Sequence, residues 1–322
     1  MSFIDKFLEA SVSEDVSTSE SIEEKVKRIY GVVVKERKPI RNPSLMVKLL
    51  KEEFKLIVDE RVVYLTVAAF LNNRPVLFEG PPGTGKTEIG EAILTLWAGK
   101  SAFVLPCSSN YDEYRVIGDF HPLMALKYGF NEKSFIPRPL LAALLLDAGV
   151  LVDEIRRSSE EFQNMLLDIV DKRRIIVPEL KKVFYARGIG FQVIFTSNPE
   201  DIGQTELSDA FMRRVVRIQF DYPPPRIEME IVKLRLENSI EFPDQLIAKM
   251  VEAVKILRQR ATYKPGPADT VLWAQIAAKV ASLKGLKRVD KTSIIEAATV
   301  VLYKRIGEDE LVDEALRHVF GD

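Results

Sequence analysis

The sequence predicts an α/β protein with a largely parallel sheet, followed by a second domain made only of helices. Up to about residue 220, short apolar runs of strand length alternate with stretches of helical apolar spacing, which is typical of parallel sheets. Three consecutive prolines, Pro223, Pro224 and Pro225, then break the chain, and only helical patterns follow. We therefore expect an N-terminal extension that binds a partner at residues 1–50, the α/β domain at 51–222 and the helical domain at 223–322.

The individual elements follow from the period of the apolar residues. Strands are predicted at residues 75–79, 102–105, 150–152, 173–177, 182–185, 191–196 and 215–220, with 173–177 and 182–185 paired as a hairpin. In the α/β domain, residues 49–71 and 86–97 each have the apolar spacing of one helix, and a capping box of Ser158 and Glu161 predicts the start of another. The helices predicted after the prolines span residues 226–238, 243–260, 268–284, 291–305 and 308–319.

Composition narrows the class of protein. The chain has 322 residues, of which 47% are hydrophobic and 29% charged, so it can bury a large core. The 46 lysines and arginines nearly balance 47 aspartates and glutamates, and this net charge of -1 argues against nonspecific nucleic-acid binding. Cys107 is the single cysteine, no apolar run is long enough to span a membrane, and the first residues do not have the pattern of a secretion signal. These features predict a cytoplasmic protein without an internal disulfide.

A glycine-rich segment after the first predicted strand indicates a phosphate-binding loop. Gly80-Pro-Pro-Gly-Thr-Gly-Lys86-Thr87 has the spacing GxxxxGK[ST], and it lies between a predicted strand and a predicted helix, as the P-loop requires. Backbone amides of such a loop bind phosphate oxygens, the lysine contacts the β and γ phosphates, and the threonine hydroxyl binds Mg²⁺. The residues expected to contact ATP are Gly80, Pro81, Pro82, Gly83, Thr84, Gly85, Lys86, Thr87 and Glu88.

Acidic and amide side chains follow two other predicted strands. Asp153 and Glu154 end the run Leu151–Val152, where an aspartate can hold Mg²⁺ and a glutamate can polarise an attacking water. Asn198 ends the run that leads to Pro199, and its neutral amide can orient water without adding charge. We therefore expect Thr87 and Asp153 to be the metal ligands, and Lys86, Glu154 and Asn198 to be catalytic.

The order of these motifs resembles the AAA+ ATPases, and within them the MoxR-like branch. The resemblance covers about residues 55–322 and rests on FEGPPGTGKT, GVLVDEIRRSSEEFQNMLLDIVDKRRI, FTSNPED and LSDAFMRRVVRI. It implies an αβα core with five strands, in which the strand before Asn198 lies between the P-loop strand and the acidic strand. It also implies ATP hydrolysis with Mg²⁺, an all-helical lid, a ring that is a hexamer in this family, and a protein client, in some cases with a von Willebrand factor A domain.

The resemblance places the arginine finger, which acts on a neighbouring subunit, at Arg214, with Arg213 as the substitute.

Two other positions, Ala268 and Arg156, depart from the pattern of the family. The family carries an arginine, called sensor 2, at the start of a lid helix, and this position corresponds to Ala268; Lys264 or Arg260 are the candidates to supply its charge. The extra arginine Arg156 after the acidic pair has no role that the sequence explains.

Other functions stay open at this point. The absence of the sensor 2 arginine keeps a nucleotide-gated scaffold with little hydrolysis in consideration, and some AAA+ rings translocate DNA, although the net charge argues against it. Transfer of a phosphoryl group to a small molecule is disfavoured because no second substrate site is evident, and Glu154 directly after Asp153 suits water activation. A GTPase is disfavoured because the Asn-Lys-x-Asp motif is missing.

Overall fold

The computed structural model describes residues 20–108, 112–199, 206–236 and 240–321. Predictions that concern residues 1–19, 200–205 and 237–239 therefore lie outside the described residues. The chain divides into two compact units, each made of several chain segments. The first, which we call the sheet unit, holds residues 20–48, Asp59–Glu79 and Thr87–Ile218. The second, which we call the helical unit, holds Leu49–Val58, Gly80–Lys86 and the chain from Gln219 onward.

Helices and strands are mixed up to the prolines and only helices follow, which confirms the predicted fold class. Up to Gln219 they are α1 (Ile22–Tyr30), α2 (Pro43–Glu52), α3 (Glu60–Leu71), β1 (Val76–Glu79), α4 (Lys86–Ala98), β2 (Phe103–Pro106), α5 (Glu113–Val116), β3 (Gly118–Phe120), α6 (Pro122–Tyr128), β4 (Phe135–Pro137), α7 (Pro139–Leu146), β5 (Val150–Asp153), α8 (Glu160–Lys172), β6 (Arg174–Val177), β7 (Lys182–Tyr185), β8 (Val193–Ser197), α9 (Asp209–Met212) and β9 (Val216–Gln219). The later helices are α10 (Pro225–Arg235), α11 (Asp244–Arg260), α12 (Pro267–Leu283), α13 (Lys291–Val301) and α14 (Asp309–Phe320).

The central sheet has five strands in the order β2-β5-β8-β1-β9. The pairs β2–β5, β5–β8 and β8–β1 are parallel, and β8 lies between the P-loop strand and the acidic strand, as predicted. Glu79 is in register with Ser197, and Pro106 with Asp153. Parallel strands present their carboxyl ends at one edge of a sheet, so Glu79, Asp153 and Ser197 lie at the same edge.

Apolar packing explains why each unit is stable. In the sheet unit, the strands are covered by the fully buried side chains of α7 and by one face of α8, including Leu166. Helix α1 belongs to this core, because Ile22 and Val26 are fully buried in it and Lys25 Nζ donates to the carbonyl oxygens of residues 132, 133 and 135. In the helical unit, the buried Trp273 centres a separate core, and its indole N–H donates to the Ile294 carbonyl at 2.8 Å.

Two local predictions were wrong, and one pair of strands was missed. Residues 49–71 form two helices, because Lys55 adopts a left-handed conformation (φ 58°) and Asp59 caps a new helix by accepting from the Arg61 amide. Helix α8 is capped by Ser159, which accepts from the Phe162 amide at 3.2 Å, whereas the Ser158 hydroxyl donates to the Ile155 carbonyl instead. The short antiparallel pair β3–β4 was not predicted.

No described helix combines the length and the apolar character that crossing a membrane requires.

Candidate nucleotide site

The P-loop connects β1 to α4, as the sequence predicts. Gly83 (φ 70°) and Gly85 (φ 86°) have left-handed backbones that side-chain-bearing residues rarely adopt, which explains the glycines at these positions. Lys86 is buried, and its ammonium donates to the carbonyl oxygens of Gly80 at 2.8 Å and Pro81 at 2.6 Å. The Thr84 hydroxyl donates to Pro81 O at 2.9 Å, so the loop is closed by its own polar groups.

The structure brings together the two predicted metal ligands. The Thr87 hydroxyl donates to Asp153 Oδ1 at 2.7 Å, and the Thr196 hydroxyl donates to the same oxygen at 2.6 Å. The Thr196 oxygen in turn accepts the Glu154 amide at 2.9 Å. Thr196 was not singled out from the sequence, although a hydroxyl one residue before the end of a buried strand was a signal for it. This chain of bonds fixes the acidic pair against β8.

Glu154 has an unusual backbone. Its φ of 56° is in the left-handed region, which costs a non-glycine residue on the order of 1–3 kcal/mol. Because this turn follows β5 directly, it changes the direction of the chain between the two acidic side chains. The Glu154 carboxylate is 35% exposed and pairs with Arg157 at 2.5 Å, so solvent reaches the predicted base.

A buried carboxylate lies at the end of the P-loop strand. Glu79 is 2% exposed, and its two oxygens pair with Arg156 at 2.8 Å and with Arg217. Arg156 also donates through Nε to the Ser197 hydroxyl at 2.7 Å. Burial alone would raise the pKa of Glu79, but the two guanidinium groups more than offset this and lower its pKa. Arg156, which the sequence left unexplained, therefore neutralises Glu79 and joins the ends of β1 and β8.

The remaining predicted residues lie at the ends of β8 and α9. Asn198 directly follows β8 and is 6% exposed, so its amide is held at the sheet edge next to Ser197. Arg213 and Arg214 are both exposed just after α9. Arg214 Nε pairs with Asp171 of α8 at 3.0 Å, with 45% of its side chain exposed.

The donor set fits Mg²⁺ bound together with phosphates. In the described part of the chain, no cluster of three or more His, Cys, Asp and Glu side chains could hold a metal. Magnesium bound with a nucleotide needs only one or two carboxylates, because phosphates and waters complete its shell. The hydroxyl of Thr87 and the carboxylate of Asp153 are such hard oxygen ligands. Burial raises the pKa of Cys107 to about 12, and the nearby charges of Asp153 and Glu154 act in the same direction.

A P-loop after a parallel strand, with its threonine bonded to the aspartate of a second strand, defines a P-loop nucleotide-binding protein. Residues 75–215 match the family described as "AAA domain (dynein-related subfamily)", and the chain therefore carries an AAA+ domain.

Known relatives agree with this assignment. The chain is 26% identical to the gas vesicle ATPase GvpN of Ancylobacter aquaticus, over 77% of this chain and 72% of that protein. It is 27% identical to an uncharacterised protein of Staphylococcus haemolyticus, over 80% of this chain and 91% of that protein. In fold it is similar to a RuvB variant of Thermotoga maritima, with a TM-score of 0.50 and 16% identity, over 78% of this chain and 72% of that one.

Proposed function

We propose that this protein is an ATP-hydrolysing AAA+ ATPase of the MoxR type, which forms a ring and remodels or activates a protein client. The observation that carries the proposal is the bonded set of Thr87, Asp153, Thr196 and the Glu154 amide, in which Thr87 is the last residue of the P-loop. This set positions the metal ligands and the backbone of the candidate base. The sequence similarity to a gas vesicle ATPase supports an ATPase in the same direction.

The residues divide the work of hydrolysis. Bound Mg²⁺ would neutralise charge on the β and γ phosphates. Lys86 would leave the loop carbonyls and donate to phosphate oxygens, which are the stronger acceptors because they are charged. The exposed carboxylate of Glu154 would accept the proton of the attacking water, and the Asn198 amide would orient that water. The ion pair of Glu154 with Arg157 must open first, because a paired carboxylate is a weaker base.

The organisation of the chain follows from the same proposal. The α/β ATPase domain would span residues 51–222, the lid 223–322, and the segment 1–50 would carry partner-binding surface. Arg214, exposed after α9, would act on the nucleotide of the neighbouring subunit in a hexamer, and Arg213 is its substitute. We propose a cytoplasmic ring whose client is a protein, among which von Willebrand factor A domain proteins are the first to test, rather than nucleic acid.

A second candidate is a nucleotide-gated scaffold that binds ATP and hydrolyses little. It is favoured by Ala268, which has no charge to offer at the place of the sensor 2 arginine.

The test is steady-state ATP hydrolysis over a series of protein concentrations, with size measured in parallel. For the ring ATPase, specific activity rises with assembly, and Glu154→Gln lowers it by a factor on the order of 10²–10⁴ while ATP binding persists. The matched control is Glu160→Gln, which changes an exposed glutamate at the start of α8. Binding without hydrolysis at any concentration would instead support the scaffold.

The shared site is tested by the two arginines. We expect Arg214→Ala to bind ATP but to lose most turnover, and Arg213→Ala to keep most of it. Mixing Arg214→Ala with Glu154→Gln should then restore part of the activity, because each variant supplies the group that its neighbour lacks. Normal turnover of Arg214→Ala would exclude it as the finger.

A further inference from the structure

The position that corresponds to the sensor 2 arginine contacts the P-loop through its backbone. The Ala268 amide donates to the Gly83 carbonyl at 3.1 Å, and both residues belong to the helical unit. Ala268 lies in the first turn of α12, where amides have no acceptor within the helix. The P-loop carbonyl therefore caps this helix.

Gly266 lets the two backbones approach. Its φ of -88° and ψ of 177° are open to any residue, so its backbone conformation does not require glycine. Glycine is required instead by the lack of space, because a Cβ at this position would lie 2.7 Å from the Pro82 carbonyl oxygen and 2.8 Å from Gly83 Cα. The requirement for glycine thus arises from contact with the P-loop.

The contacting carbonyl is chemically linked to a phosphate-binding group. The Gly83 carbonyl belongs to the same peptide group as the Thr84 amide, and P-loops bind phosphates through such amides. A hydrogen bond at one end of a peptide group polarises it and strengthens a bond at the other end. A phosphate bound to the Thr84 amide would therefore strengthen the hydrogen bond from the Ala268 amide.

A buried ion pair fixes the segment that makes this contact. Arg258 donates to both oxygens of Glu228, at 2.7 and 2.8 Å, and through Nε to the Pro265 carbonyl at 2.7 Å. The Thr270 hydroxyl donates to the same carboxylate at 2.7 Å, and Glu228 is fully buried. Side chains of α10, α11 and α12 thus fix the chain at Pro265, before Gly266, and at Thr270, after it.

We propose that the helical unit senses the nucleotide through this backbone contact, with Gly266 and Arg258 as positioning residues in place of a charged side chain at position 268. The inference rests on nucleotide binding by the P-loop. Arg260 pairs with Glu314 at 2.8 Å, and Lys264 is the other charged residue that could replace the sensor 2 arginine.

The test is hydrogen exchange with and without ADP, together with the affinity for a fluorescent ADP analogue. In the wild type, ADP should slow exchange at residues 80–87 and also at 261–272. Gly266→Ala should bind ADP weaker by about tenfold and lose the protection at 261–272, because the added methyl separates the backbones. Lys264→Ala is the matched control and should behave as the wild type.

Each other outcome has a distinct meaning. Protection at 261–272 that survives Gly266→Ala, or that disappears in Lys264→Ala, would overturn the backbone contact as the sensor. ADP protection at 80–87 without any at 261–272 in the wild type would do the same and leave the proposed ATPase intact. A complete lack of ADP binding would overturn both the backbone sensor and the proposed ATPase function. If Gly266→Ala does not fold, Arg258→Lys tests the same point, since it keeps the charge but loses the bidentate geometry.

Discussion

Each of the two units buries one glutamate against arginine, but the two arrangements differ in what they connect. Glu79 in the sheet unit takes its partners from the turn after β5, from the end of β8 and from β9, and one of them, Arg217, has 45% of its side chain exposed. Glu228 in the helical unit is paired with Arg258, which is 11% exposed, and with Thr270. The first arrangement joins the ends of strands where one partner is partly exposed to solvent. The second holds the turn at Pro265 within a buried core.

The comparison indicates how much each ion pair should matter. A buried charge left without its partner is costly, and the cost falls when water reaches the remaining charge. The chain provides a reporter for each unit, because Trp97 is buried in the sheet unit and Trp273 in the helical unit. Unfolding of each unit can be followed by replacing the other tryptophan with phenylalanine.

The largest effect is expected from Glu228→Gln. It leaves the Arg258 guanidinium buried and unpaired, so the free energy of unfolding of the helical unit should fall by about 3–5 kcal/mol. Urea titration followed by Trp273 fluorescence measures this. The control Glu296→Gln removes a half-exposed pair with Lys284 and should cost less than about 1 kcal/mol. Equal losses of stability in Glu228→Gln and Glu296→Gln would contradict the burial of the Glu228–Arg258 ion pair.

Glu79→Gln should have a smaller effect. Water can solvate Arg217 when the carboxylate is removed, so we expect a loss of about 2 kcal/mol in the sheet unit, measured through Trp97. The exposed Glu160→Gln serves as the control. A loss of stability as large as that of Glu228→Gln would show that solvation of Arg217 does not reduce the cost of removing the carboxylate.

Acid should reduce the effect of Glu79→Gln. The pKa of Glu79 is lower in the folded protein than its ordinary value of 4.5, so the carboxylate contributes stability above that pH and loses it as pH falls through the folded pKa. The stability difference between wild type and Glu79→Gln should therefore be full near about pH 7 and should shrink below about pH 4.5. Urea titrations at several pH values check this. A difference that grows in acid would contradict the sign.

The smallest effect is expected from Arg217→Gln. Glu79 keeps its ion pair with the guanidinium of Arg156, so the loss of stability should be about 0.5–1 kcal/mol. Arg226→Gln, which removes a pair between the 91% exposed Arg226 and Glu230, should cost about 0 kcal/mol. If Arg217→Gln costs as much as Glu79→Gln, Arg217 rather than Arg156 is the main partner of the buried carboxylate.

Much of the fold could be predicted because its elements have long, regular patterns. The strands around β8 and the helices of the helical unit were located within a few residues from apolar runs and proline breaks. The break after α2 was missed because the apolar spacing continues through it, and Lys55 gives no sign of its left-handed conformation. The three-residue strands β3 and β4 are too short to show an alternating pattern.

The candidate site shows the same contrast between local and distant signals. Lys86 and Thr87 were predicted because a P-loop has a fixed spacing along the chain, and Asp153 and Glu154 because they directly follow a predicted strand. The partners of Glu79 could not be found, since Arg156 is 77 residues away and Ser197 is 118 residues away, and only the sheet brings them together.

The way the chain is shared between the two units sets the order in which they can be completed during synthesis. Residues 49–58 and the P-loop belong to the helical unit but are made before most of the sheet unit. The Lys55 carbonyl, for instance, accepts from Arg235 Nε at 2.9 Å, a partner that leaves the ribosome much later. A nascent chain that ends after β9 thus contains the P-loop but not yet α12, the helix that the Gly83 carbonyl caps. Domains generally fold as they emerge, and here the hydrogen bond from the Ala268 amide to the Gly83 carbonyl can form only after α12 has been made.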